Sequence, residues 1–86
     1  MKILFRKQFT KSYGKLSVSE QFLVNQSLEI FEKDPFHSKL NNHALKGKLQ
    51  GQRAFSAGFD LRILYREEGG HAVVYLLKTG SHNQVY

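Results

Sequence analysis

The spacing of apolar side chains along the chain changes period twice. Ile3 to Arg6 reads as a short strand, after which Phe9, Tyr13 and Leu16 recur at helical spacing, with Gly14 marking an early stop. Ser17 and Glu20 form the S-x-x-E pattern of a capping box. Behind them Val24, Leu28 and Phe31, with Leu23 and Ile30 alongside, make one apolar stripe, the mark of a second, amphipathic helix. Asp34-Pro35 ends it, because the residue before a proline avoids helical geometry. The polar stretch from Lys39 to Gln52 reads as loop or frayed strand. The period then becomes two: Phe55, Ala57, Phe59, Leu61, Ile63 and Tyr65 occupy alternate positions. Ala57-Gly58 can turn the chain inside that run and shift which face each residue takes. Gly69-Gly70 is a hairpin turn, and Val73 to Leu77, apolar on both faces, is expected to be a central strand. Lys78 to Tyr86 reads as a polar loop closing on an aromatic.

Helices early and strands late predict an α+β fold. An N-terminal strand and a helical hairpin would pack on one face of a small, mainly antiparallel, twisted sheet. The other face would lack cover. Ser56, Asp60, Arg62 and Arg66, read at alternate positions on it, would then form a binding surface.

Composition narrows this picture. A chain of 86 residues has room for one domain, taken as 1–86, of modest stability unless a partner adds to it. A hydrophobic fraction of 41% with seven Phe and four Tyr argues against disorder. The absence of cysteine excludes disulfide staples and thiolate metal sites. No apolar run approaches the roughly 20 residues that a membrane-spanning helix needs. The first residues, Met-Lys-Ile-Leu-Phe-Arg-Lys, lack the apolar core of a signal peptide, so a soluble, cytoplasmic protein without membrane contact is expected. A net charge of +6 fits either plain solubility or a polyanionic partner. Its distribution favours the partner: from Leu45 to Arg66 there are five Lys or Arg residues and one acid, Asp60.

Three groups of residues in the C-terminal half could carry chemistry. They are His43 with Lys46 and Lys48; Arg53, Ser56, Asp60 and Arg62; and His82 with Tyr86. Histidine moves protons near neutral pH, and a nearby aspartate can orient it. Arginine and lysine match a phosphate whose charge grows in a transition state, and tyrosine can stack on an exposed base. Read singly, each has a plainer explanation: a solvated loop histidine, an aspartate capping a turn, the solvated face of a hairpin. That plainer explanation is kept for His37, after the helix-ending proline, and for His71, beside the glycine turn. No metal is expected, since the four histidines show no ligand spacing.

Order and spacing go further than the single residues. The run from His43 to Arg53 resembles the H-x-L-x-G-x-x-x-G-x-R segment of YafQ-like toxins. Asp60 to Tyr65 is similar to their D-x-x-x-x-Y strand, and Thr79-Gly80-Ser81-His82 followed by Tyr86 is similar to their terminal T-G-[ST]-H with its closing aromatic. The chain thus resembles the RelE/ParE superfamily of type II toxins, in its YafQ-like branch. The resemblance implies a RelE-like fold and a ribosome-dependent endoribonuclease that cuts mRNA without metal or cofactor. It implies catalytic roles for His43, Asp60, His82 and Tyr86, and a phosphate contact for Arg62, with Lys46, Lys48, Arg53 and Arg66 as further RNA-binding residues. The implied partners are the ribosome, mRNA and a cognate antitoxin with an acidic or amphipathic segment.

Two positions depart from the branch's pattern. Ser56 stands where several members have histidine, and Leu61 where they have tryptophan. One proton-transfer group and one stacking surface are therefore absent. Two other readings stay beside the nuclease: a non-enzymatic gyrase inhibitor of the ParE kind, which generally lacks the His-Asp-His set, and a weakened antitoxin-bound or RNA-binding member of the same fold.

Overall fold

The computed structural model describes residues 1–86. β1 (Lys2–Phe5), β2 (His43–Ala44), β3 (Arg53–Gly58), β4 (Leu61–Glu68) and β5 (Val73–Ser81) form one sheet in the order β1-β5-β4-β3-β2. β1 runs parallel to β5, and the remaining pairs are antiparallel. The architecture is the expected α+β arrangement, with β5 central as its two apolar faces predict.

α1 (Lys7–Gly14) and α2 (Val18–Lys33) cover one sheet face. The capping box forms as read: Ser17 N donates to Glu20 Oε1 at 2.9 Å, and Glu20 N to Ser17 Oγ at 3.2 Å. Val24 and Phe31 of the predicted stripe are fully buried, while Leu28 packs at the edge of the core. Phe31 stacks on Phe55 with ring centroids 4.4 Å apart and meets Tyr65 edge-on at 4.9 Å. These three aromatics, with Ile63, Val74 and Leu76, are the centre of the core.

Three expectations need correction. The turn inside the alternating run falls at Phe59-Asp60, not at Ala57-Gly58. A bulge between Ser56 and Gly58 delays it, and Gly58 adopts φ 102° there. Asp60 therefore lies exposed in the turn and not on a strand. The segment Lys78–Tyr86 is no loop: β5 runs to Ser81 and a short helix, α3 (His82–Val85), follows. The second sheet face is not bare either. Ala54, Leu64 and Val85 are buried on it, with Leu45, Leu49 and Leu77 packed around them. The loop after β2 and the C-terminal helix thus cover part of that face and leave an opening between them. No helix is long and apolar enough to cross a membrane.

Candidate functional site

That opening is a depression of about 390 Å³ lined by His43, Leu45, Arg62, His82 and Tyr86. Sequence neighbours do not build it. His43 comes from β2, at the free edge of the sheet; Arg62 from the start of β4; His82 from the first position of α3 and Tyr86 from the residue after its end. Pairing of His43 with Ala54, and of Arg62 with both Ser56 and Gly80, brings the three segments together.

Each side chain is held by a local device. The His43 ring Nδ1 lies 2.8 Å from the Asn41 carbonyl oxygen. The Arg62 guanidinium donates to the Leu61 carbonyl at 2.9 Å, the Phe59 carbonyl at 3.2 Å and Ser56 Oγ at 3.5 Å, so the β3–β4 turn fixes its direction. Ser56 also accepts from Gly58 N at 3.2 Å. Where the family pattern has a histidine, this serine braces the bulge and the arginine. His82 N donates to the Asp60 carbonyl at 3.1 Å, and the His82 ring meets Tyr86 edge-on at 4.4 Å. Burial pushes the Tyr86 phenol above its ordinary value, with the nearby Arg62 charge opposing. Tyr86 is thus a neutral hydroxyl near pH 7, able to donate a hydrogen bond or to stack.

The structure separates the remaining candidates. Asp60 is tied to His82 only through its backbone, and its side chain lines a neighbouring depression with Phe22, Phe59 and Ser81. Arg53 points to the helix-covered face, where its Nε donates to Asn42 Oδ1 at 2.9 Å and its guanidinium lies over the Phe36 ring. Arg66 sits further along β4 over the Tyr75 ring. Lys46 and Lys48 are exposed on the loop that follows His43. Leu61, at the family's tryptophan position, is buried in the helix-side core. No three His, Asp or Glu side chains converge where a metal ion could sit.

His71 corrects the sequence reading. Far from being solvated, its ring packs near Phe31 and Phe36, and Nε2 lies 2.7 Å from the Tyr65 hydroxyl. Also missed were Asn41 and Asn42, the polar pair directly before His43. Their signal was present: asparagine is one of the few residues besides glycine that takes left-handed backbone readily.

The chain matches, over residues 1–86, the family model described as bacterial toxin of type II toxin-antitoxin system, YafQ. No curated protein matches it. Among solved structures it resembles a copper-bound mutant toxin from Helicobacter pylori, at 25% identity and TM-score 0.74, over 100% of this chain and 99% of that one. The archaeal RelE–RelB complex from Pyrococcus horikoshii gives 20% identity and TM-score 0.74, over 98% and 97% of the two chains. YafQ from E. coli gives 17% and 0.73, over 98% and 96%. The last two likenesses concern the fold.

Proposed function

Since the chain belongs to the YafQ family of bacterial type II toxins, in the RelE superfamily, we propose that it is a ribosome-dependent endoribonuclease that halts translation. The observation that carries this reading is the shared depression in which two histidines, an arginine and a neutral tyrosine face one another. One histidine takes the proton from a ribose 2′-hydroxyl as its oxygen bonds to the adjacent phosphorus. The other gives a proton to the departing 5′-oxygen as the P–O5′ bond breaks, leaving a 2′,3′-cyclic phosphate and a 5′-hydroxyl. Arg62 faces the charge that grows on the phosphate oxygens. Tyr86 donates to the phosphate or stacks on a splayed base. Asp60 supports His82 through its backbone carbonyl, which accepts from His82 N, and Lys46 and Lys48 hold backbone phosphates. Arg53 and Arg66, directed elsewhere, have no part in this depression. By the same reading a cognate antitoxin offers an acidic or amphipathic segment to the basic surface and silences the toxin.

The test is induction in cells with pulse labelling and primer extension. Protein synthesis should stop first and new 5′ ends should appear in mRNA. A general acid or base contributes about 10²–10⁴-fold, so His82→Ala should nearly abolish cleavage while leaving the fold intact. Wild-type toxicity in both His82→Ala and His43→Ala would rule the mechanism out. An arrest of DNA synthesis instead would point to a gyrase inhibitor on the same fold.

A further inference from the structure

Within the depression, the protonation site of the His43 ring can be read from geometry. Its Nδ1 lies 2.8 Å from the Asn41 carbonyl oxygen. A carbonyl oxygen has no proton to give, so in the neutral ring Nδ1 carries the hydrogen and Nε2 keeps its lone pair. The contact depends on an uncommon backbone. Asn41 has φ 49° and ψ 43°, in the left-handed region, which turns its carbonyl towards the ring two residues on. Both neighbours hold that kink. On one side Leu40 is 1% exposed in the core. On the other, Asn42 Nδ2 donates to the Pro35 carbonyl at 2.8 Å and to the Tyr65 hydroxyl at 2.7 Å, while its Oδ1 accepts from Arg53 Nε at 2.9 Å. An asparagine amide offers two donors and two lone pairs. Three of the four are filled here, by groups from the segment after α2, from β3 and from β4. Neither asparagine lines the depression, whereas His43, which follows them in the chain, does.

We infer that Asn41 and Asn42 are positioning residues for His43, the Asn41 carbonyl holding the neutral ring in its Nδ1–H form with Nε2 free. Resting on the RNA-cleavage reading, this divides the two histidine roles: His43 Nε2 takes the 2′-hydroxyl proton, and His82 protonates the 5′-oxygen. The ionisable groups that share the depression with His43 are Arg62 from β4, and His82 and Tyr86 from α3. None of them is its Nδ1 partner, so the Asn41 carbonyl alone sets the tautomer.

The experiment is two-bond ¹H–¹⁵N correlation NMR of the full chain, with the pH raised until the ring nitrogen shifts themselves show a neutral ring. Wild-type His43 should show the Nδ1–H tautomer. Asn41→Gly, which takes left-handed backbone freely, should keep it. Asn41→Val, whose branched side chain resists that backbone, should lose it while the His82 signals stay unchanged. Cleavage of ribosome-bound mRNA should follow: kcat for Asn41→Val falls roughly 10- to 100-fold, by analogy with the loss of the outer partner that orients a metal-bound histidine, with KM unchanged and Asn41→Gly near wild type. Wild-type His43 in the Nε2–H form would overturn the inference without any variant having to fold. So would an Asn41→Val chain that keeps the Nδ1–H form yet loses activity. If the wild-type chain cleaves no RNA, the base role falls with the cleavage reading, whereas the tautomer measurement still decides the positioning role.

Discussion

Tyr65 is where the apolar core and the polar network meet. Its ring is fully buried against Phe31 and Phe55, while its hydroxyl accepts from Asn42 and lies 2.7 Å from His71 Nε2. Burial pushes the phenol up more strongly than Asn42 and Arg53 pull it down, so the hydroxyl stays protonated and donates to His71 Nε2. His71 is then a neutral ring. Burial lowers its pKa, and the opposing attraction of Glu67, 3.9 Å away, is the smaller effect. Unfolded His71 binds a proton near the ordinary value of about 6.5, but the folded ring resists it, so stability is lost as pH falls below that value. The urea midpoint should therefore drop more between about pH 7.5 and pH 5.5 in the wild type than in His71→Asn. Asparagine is chosen because residue 71 has φ 71°. Equal drops would show that His71 is not the coupled group. None of this was legible in the sequence. Asn42 and Tyr65 are 23 residues apart, and hydrogen bonds across that distance follow no hydrophobic period.

At the scale of elements, legibility follows length. α2, sixteen residues with a capping box and a terminal proline, carries enough turns for its stripe and both ends to show. α3 has four residues, too few for any periodicity, and the sequence presents it as polar loop. Yet this short helix presents His82 and Tyr86 together, and Gly80 makes room for it. A Cβ at Gly80, where φ is 158°, would sit 2.7 Å from Gln84 Oε1 and 3.3 Å from Gln84 Cβ. That oxygen accepts from Ser81 N at 2.8 Å, capping the helix. Gly80→Ala should displace Gln84 and fray α3, costing about 1 kcal/mol of stability, the usual loss for a cap. On the proposed mechanism cleavage should fall further than stability, because His82 and Tyr86 lose their common frame. Thermal melting paired with single-turnover cleavage checks this; unchanged cleavage would mean that α3 tolerates the loss of its cap.

The whole molecule has two unlike faces, one covered by helices and one partly open. The α1–α2 pair covers the first, and a sequence with helices early and strands late predicts that much. The second was expected to be open; Leu45, Leu49 and Val85 cover part of it, because a loop leucine shows no facing until its strand partners are known. What stays uncovered is lined by Arg62 and by Leu45, next in sequence to the exposed Lys46 of the loop that also carries Lys48. If Lys46 and Lys48 hold backbone phosphates, each releases counterions on binding, and affinity for single-stranded RNA should fall with salt by about 0.7 log units per tenfold salt for each contact. Replacing both lysines with alanine should then reduce the slope of log K against log salt by roughly 1.4, weakening all sequences alike. The folded state should be unaffected, since both side chains are exposed. His43→Gln should leave that slope unchanged while removing cleavage, because its proposed task is proton transfer and not charge neutralisation. A slope unaltered by the double lysine change would place the phosphate grip elsewhere, with Arg62 the first residue to replace.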